Sequence, residues 1–141
     1  MAVNQLSVFI ENKHGRLSEA IKGISESELN IRALSIGDSQ DFGIVRMIVS
    51  DLDKAKELLG EEFIYKVTPV IAVKMDDKGG ALYKILKTLE ESEINVKYTY
   101  AFTSNKEFGA YVVLRVDDVT ATEKILSDKG FRLATDEEIS G

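Results

Sequence analysis

Two short loops of matching composition are the segments where residue types and spacing could do chemistry. The first reads ENKHGRL over residues 11–17 and the second reads DDKGGAL over residues 76–82. Glycine lets a ligand approach the backbone closely, and the free N–H groups at a helix start attract a carboxylate. Asn12 or Asp77 can accept a hydrogen bond from an ammonium group. Together these groups match the two charged ends of a free α-amino acid.

A plain strand-to-helix turn that needs glycine for its geometry would also explain one such loop. The chain, however, repeats itself once. With Gly15 placed over Gly80, an offset of 65 residues, identical residues recur along the two halves, including an asparagine at 30 and again at 95. One inserted residue near Glu107 then places Asp51 over Asp117 and Ala55 over Ala121. Because both the loop and the asparagine occur twice, a ligand-binding loop is favoured over a plain turn.

The hydrophobic pattern predicts the same order of elements in each half. Alternating or β-branched apolar runs predict strands at 5–10, 31–37, 43–50 and 63–67, and again at 70–75, 96–103, 109–116 and 131–134. Apolar residues at helical spacing predict a helix after each loop and further helices at 52–59 and 119–128. Asn30 and Asn95 follow the first helix of each half, where a left-handed residue suits the chain reversal.

The predicted fold is therefore α+β, with two tandem βαββαβ ferredoxin-like units. Right-handed crossovers make each unit an antiparallel sheet with its helices on one face. The predicted domains are residues 1–68 and 69–141. The chain runs from one to the other without a flexible linker, and its single proline, Pro69, marks the join.

Composition excludes several classes of function. The 141 residues carry a formal net charge of −6, which repels phosphate backbones, so no nucleic-acid partner is expected. There is no cysteine, hence no disulfide framework and no thiolate chemistry. No signal peptide and no apolar run of about 20 residues is present, so we expect a cytoplasmic protein with no membrane partner.

No catalytic set is apparent in the sequence. His14 is the single histidine, and it has no neighbours at metal-ligand spacing. The adjacent acids at 76–77 and 117–118 would point to opposite sides of an extended chain, which suits acid–base chemistry poorly. The sequence therefore predicts no enzymatic activity, no cofactor and no metal.

At this point the motifs suggest a family. The pattern Asn-x-x-Gly-x-Leu over 12–17, followed by Glu-x-Asn-Ile over 28–31, resembles the ACT domain, a small regulatory module that binds amino acids. The resemblance covers nearly the whole chain, once per half. It implies an allosteric sensor in which two units lie side by side in one eight-stranded sheet, with the amino acid between the loop of one unit and the second strand of its neighbour.

The resemblance also implies the ligand-binding residues. In members of the family that bind serine, a loop asparagine and a second-strand asparagine hold the ligand, and Asn12 and Asn30 match these places. Asp77 and Asn95 match them in the second half, where the aspartate is a departure from the family pattern. The full predicted set is Asn12, His14, Gly15, Arg16, Leu17, Asn30, Leu34, Ser35, Asp77, Gly79, Gly80, Ala81, Leu82, Asn95, Tyr98 and Tyr100.

The two predicted sites are unequal, and this affects their ligands. His14 stands where such loops often carry proline, and Tyr98 and Tyr100 stand where the first half has Ala33 and Ser35. The aromatic side chains would contact a larger ligand, although ordinary strand residues explain them as well.

One alternative remains open, and two others are disfavoured. ACT units also form the non-catalytic regulatory subunits of amino-acid biosynthetic enzymes such as acetolactate synthase, so the partner would then be such an enzyme. An acylphosphatase-like hydrolase would need a loop arginine, but Arg16 is matched by Ala81. RNA binding would need aromatic residues on central strands and a basic face, whereas Phe9 stands alone on the first strand and the net charge is −6. In each unit, an edge strand favours self-association, and a homo-oligomer such as a dimer is predicted.

Overall fold

A computed structural model describes residues 2–38, 42–76, 79–104 and 109–140 of the chain. Within these ranges it contains seven strands and five helices. In chain order they are β1 (Val3–Glu11), α1 (Arg16–Ser25), β2 (Ile31–Asp38), β3 (Phe42–Val49), α2 (Leu52–Leu59), β4 (Ile64–Met75), α3 (Ala81–Glu91), β5 (Tyr98–Ser104), β6 (Gly109–Arg115), α4 (Val119–Asp128), β7 (Leu133–Ala134) and α5 (Asp136–Ser140). The chain divides into two compact units. Unit N consists of Asn4–Thr68 with Ser140, and unit C consists of Pro69–Ile139 with Ala2 and Val3.

In unit N, β3 lies between β1 and β2 and is antiparallel to both. Met47 shows how the register builds the core: it faces Leu6 on one side and Leu34 on the other. Residues opposite each other in a ladder share a face of the sheet, and this face is covered by α1 and α2. Its core consists of Leu6, Val8, Ile10, Ala20, Ile24, Leu29, Val45, Met47, Val49, Ala55, Leu59 and Phe63.

Unit C repeats this arrangement. Strand β6 lies between β4 and β5, and the short β7 pairs with β4, all antiparallel. Helices α3 and α4 supply the apolar residues that pack against the sheet. The core consists of Ile71, Val73, Ile85, Leu89, Val112, Leu114, Val116, Leu126 and Leu133. The predicted α+β architecture of two antiparallel ACT-like units is thus confirmed.

The starts of the helices are duplicated in backbone detail. Helices α1 and α3 follow Gly15 (φ 82°) and Gly80 (φ 89°), both in the left-handed region where glycine has no steric cost. Helices α2 and α4 instead begin after Asp51 and Asp118, whose carboxylates accept a hydrogen bond from the N–H group three residues on. The two kinds of helix start therefore recur in the same order in each unit.

Two details of the predicted repeat are wrong. The left-handed residues after α1 and α3 are Glu28 (φ 64°) and Glu93 (φ 59°), not the asparagines that follow them. The offset that aligns the second half of each unit is also one residue larger than predicted. The capping aspartates show that Asp51 corresponds to Asp118 rather than to Asp117.

The predicted count of eight strands becomes seven among the described residues. The strands predicted at 63–67 and 70–75 form one continuous strand, β4. Pro69 lies inside this strand and is exposed. Proline lacks a donor, but its fixed φ suits an extended chain, so the strand continues through it.

The sequence pattern also failed to predict α5. Thr135 caps its start: the Thr135 hydroxyl accepts from the N–H of Glu138 at 3.1 Å and donates to the Glu138 carboxylate at 3.2 Å. Ile139 is buried and anchors this short helix. The Thr-x-x-Glu spacing was the signal that would have predicted it.

Candidate functional site

The loop between β1 and α1 is exposed and held by a few local bonds. Asn12, Lys13, His14 and Gly15 are all exposed. The Lys13 ammonium lies 2.9 Å from the Glu11 carboxylate, and this bond lowers the pKa of Glu11 from its ordinary value. No described residue forms a hydrogen bond with the side-chain amide of Asn12. The loop therefore presents an amide and a histidine to solvent.

The start of α1 offers backbone donors beside this loop. Gly15 supplies no side-chain cap. The N–H of Arg16 donates to the Lys13 carbonyl at 3.2 Å, so the amides left for solvent or a ligand are those of Leu17 and Ser18. A Cβ built on Gly15 would meet no atom within 4 Å. Leu17, in the first turn, is 38% exposed. This combination of free donors, open space and an exposed leucine can receive a small molecule with a carboxylate.

The second loop, between β4 and α3, has the same design. Gly79 and Gly80 are exposed, and a Cβ on either would meet nothing within 4 Å. Helix α3 also lacks a side-chain cap, and Leu82 is 40% exposed. Gly79, Gly80 and Ala81 line an open groove of about 500 Å³ along α3. Asp77, the predicted acceptor for an ammonium, lies outside the described residues.

Asn30 lies at the opposite end of unit N from the loop. Strand β1 ends beside the start of β3, where Glu11 pairs with Phe42. Asn30 lies beyond the other end of β3, where its N–H donates to the Ser50 hydroxyl at 3.1 Å and its carbonyl accepts from the Ser50 N–H at 2.9 Å. At about 3.3 Å per residue, β3 separates these places by roughly 23 Å. Asn12 and Asn30 of one unit therefore do not contact the same small ligand.

Unit C separates its predicted residues in the same way. Met75, near the loop, pairs with the start of β6 at Ala110. Asn95 precedes Lys97, whose N–H donates to the Arg115 carbonyl at the end of β6. Asn95 lines a second groove of about 500 Å³, which shares Tyr83 and Lys87 with the groove at the loop. The two grooves follow α3 from one end to the other.

The predicted strand residues point in different directions. In unit C, Tyr98 and Tyr100 face Arg115 and Val113 across the ladder, on the face away from the core residues Val112 and Leu114. Ser35 takes the corresponding face in unit N, where it is half-buried. Leu34 takes the helix-covered face and is 45% exposed at its edge. Neither tyrosine is among the described residues that line the two grooves along α3.

Arg16 has three partners inside unit N. Its guanidinium lies 4.4 Å from the centroid of the Phe63 ring, donates to the Glu62 carbonyl at 3.2 Å and forms an ion pair with Glu19 at 2.9 Å. A role for Arg16 in ligand binding stays a prediction, since these contacts already occupy the side chain.

Neither a metal site nor a membrane-spanning helix is found among the described residues. Among the described residues, no group of three or more histidine, aspartate or glutamate side chains is arranged to hold a metal ion. In the same part of the chain, every helix is too short or too polar to cross a membrane. The described cavities around α3 are lined by lysines, acidic residues, glycines and apolar residues. Sequence analysis did not single out Tyr83, Lys84 or Lys129 among them. A position-by-position comparison of the two halves would have identified Lys84 and Lys129, because the first half has Glu19 and Glu61 at the corresponding positions.

Comparison with known proteins agrees with this architecture. Protein BT0572 from Bacteroides thetaiotaomicron is 35% identical, with a TM-score of 0.90 and coverage of 99% of this chain and 96% of that one. The regulatory subunit of aspartate kinase from Thermus thermophilus, in a ligand-free form, is 14% identical, with a TM-score of 0.65 and coverage of 90% and 92%. The corresponding subunit from Thermus flavus is 13% identical, with a TM-score of 0.58 and coverage of 88% of each chain. At these low identities the two subunits show a shared fold alone.

A search of curated protein sequences gives no match. The family model of the ACT domain pair, in contrast, matches residues 1–141. The resemblance that the two loops indicated is therefore confirmed, and the chain belongs to the ACT domain pair family.

Proposed function

We propose that this protein is a non-catalytic regulator that binds a free amino acid at its strand-to-helix loops. The observation that carries the proposal is the duplicated helix start. In both units a left-handed glycine precedes an uncapped helix, and a leucine in the first turn stays exposed. A structural turn alone would explain the glycine, whereas it would not explain why the leucine and the open space recur.

The chemistry of binding follows from these groups. The amides at the start of α1 or α3 would donate to the ligand carboxylate, aided by the partial positive charge of the helix start. In unit N, Asn12 would accept from the ammonium. Because Asn12 and Asn30 lie at opposite ends of the unit, a site that uses both would combine the loop of one unit with the second strand of another.

Membership of a regulatory family supports a role without catalysis. ACT domains are regulatory modules of amino-acid metabolism, and the Thermus proteins of similar fold are regulatory subunits of aspartate kinase. We propose that the bound amino acid changes how this chain associates with itself or with a partner protein.

The exposed edge of β2 favours association with another polypeptide chain. Leu34 and Ile36 lie on the helix-covered face and are 45% and 52% exposed. Their counterparts on β5, Thr99 and Ala101, are polar or small. Apolar residues next to an unpaired strand edge are typical of a pairing surface. The occupant in our proposal is a second copy of this chain, and an enzyme subunit is the alternative.

Thermal unfolding in the presence of single amino acids tests the proposal. A ligand that binds only the folded state raises the melting temperature by mass action. We expect one or a few of the twenty amino acids to do so at millimolar concentration. If none does while purified enzymes of amino-acid biosynthesis bind the chain, the subunit role replaces the sensor role.

A further inference from the structure

The two units differ most beside the start of their first helices. In unit N, the Arg16 guanidinium covers the ring of Phe63 and donates to the carbonyl of Glu62. In unit C the residue that follows the left-handed glycine is Ala81, and Phe131 takes the place of Phe63. Because alanine ends at Cβ, the space that the arginine fills in unit N stays open. A cavity of about 210 Å³ lies there, bordered by Ala81 and Phe131.

The border of this cavity is basic. Lys74, Lys84 and Lys129 line it, and Asp76 is the one acid among the described lining residues. Within the described ranges, neither Lys84 nor Lys129 forms an ion pair. The acids nearest to them along α3 and α4 are already engaged, since Glu90 pairs with Lys87 at 3.2 Å and Asp128 with Lys124 at 3.0 Å.

Unit N has the opposite charges at the corresponding places. Glu19 stands where unit C has Lys84, and Glu61 stands two residues before Phe63 as Lys129 stands before Phe131. Unit N therefore pairs its own cation, Arg16, with Glu19, whereas unit C has an open cavity bordered by three lysines and Asp76. In a chain with a net charge of −6, Lys84 and Lys129, which form no ion pair within the described ranges, create a local positive field that attracts anions.

We propose that this cavity binds a small oxyanion with two negative charges, of the phosphate or dicarboxylate class. Its volume lies below the range of about 300–1,000 Å³ typical of sites for larger organic ligands, so a small ion fits it. The ammonium groups of Lys84 and Lys129 would pair with the charges, and the start of α3 adds backbone donors. The charges of Lys84 and Lys129 favour a second negative group where an amino acid carries an ammonium. The site shares the amides at the start of α3 with the amino-acid site proposed for unit C.

Titration with inorganic phosphate and with succinate, followed by backbone amide NMR, tests the proposal. Succinate carries no amino group, so it does not satisfy an amino-acid site. We expect saturable shifts at Gly80, Ala81, Lys84 and Gly130 with at least one probe, and the stronger probe identifies the class. Ala81→Leu would fill the cavity without adding a charge, and we expect at least tenfold weaker binding.

Matched variants distinguish the contribution of the lysine charges to binding from that of the open space. Lys84→Glu and Lys129→Glu change exposed residues and should each weaken binding at least fivefold, with an unchanged circular dichroism spectrum. Arg16→Ala opens the corresponding space in unit N among acids and should create no phosphate site. The proposal is overturned if neither probe binds, if Lys84→Glu and Lys129→Glu bind as wild type does, or if Arg16→Ala gains an equal site.

Discussion

The guanidinium of Arg16 lies 4.4 Å from the centroid of the Phe63 ring, 47 positions further along the chain. This contact fastens the start of α1 to the start of β4, and the bond from Arg16 to the Glu62 carbonyl at 3.2 Å strengthens it. Unit C makes no such bond at Ala81, although its helix begins with the same backbone geometry. The contacts of Arg16 therefore distinguish the start of α1 from the start of α3, although the two share their backbone geometry.

Replacing Arg16 should destabilise unit N. We expect Arg16→Ala to lower the free energy of unfolding by about 1–2 kcal/mol, through loss of the cation–π contact and of a charge-assisted hydrogen bond. Arg16→Lys should restore part of this, since lysine keeps the charge but not the planar contact. Urea denaturation measures both variants. Equal stability of Arg16→Ala and wild type would show that the contact contributes nothing.

The glycines of the second loop should respond differently to the same substitution. Gly80 has φ 89°, so Gly80→Val forces a β-branched residue into the left-handed region and should cost about 1–2 kcal/mol or more of stability. Gly79 has open space around its Cβ position and no such dihedral constraint. Gly79→Val should therefore leave the melting temperature nearly unchanged while obstructing the approach of a ligand. A large loss of stability in Gly79→Val would contradict this assignment.

The sequence predicts most of the fold because its signals are local. Helices α2 and α4 have the predicted bounds, 52–59 and 119–128, since helical spacing and a capping aspartate define them. The predicted strand boundary at Pro69 is absent, because an exposed proline in an extended chain does not interrupt β4.

The site is less predictable than the fold. The loops and their glycines are visible in the sequence because each lies within seven residues. The engagement of Arg16 by Phe63 and Glu62 depends on contacts between distant segments, which no local pattern reports. The separation of Asn12 from Asn30 likewise follows from the strand register rather than from residue types.

The edge of β2 should mediate self-association. We expect Ile36→Lys, which places a charge beside the unpaired edge, to weaken assembly of the chain at micromolar concentration. Ala101→Lys on β5 is the matched control, since the β5 edge exposes small and polar residues on this face, and it should leave assembly unchanged. Sedimentation or light scattering measures the assembly. If Ile36→Lys assembles as wild type does, the β2 edge is not the contact.

An exposed ion pair in unit C should give a small pH dependence. The Lys97 ammonium lies 2.7 Å from Asp117 and lowers the pKa of that carboxyl from its ordinary value. An acid whose pKa is lower in the folded state stabilises the fold above its unfolded pKa of about 3.9, and this contribution is lost as the pH falls through the folded pKa. Both groups are exposed, so the effect is small.

The test compares melting temperatures of wild type and Asp117→Asn from neutral to acid pH. We expect wild type to be the more stable at about pH 7 and the difference to vanish by about pH 2. Lys97→Ala should lose the same pH-dependent part. A difference that persists at the acid end would assign the effect to packing rather than to the ion pair.

Calorimetric titration of the chain with each of the twenty amino acids, repeated on Asn12→Ala, tests the proposed function most directly. The account predicts saturable binding of one or a few amino acids. It also predicts that Asn12→Ala weakens this binding by about 1–3 kcal/mol, because it removes a hydrogen bond to a charged group, while the melting temperature of the free protein stays the same. The absence of any heat of binding at millimolar concentration, or equal affinity in Asn12→Ala, would contradict it.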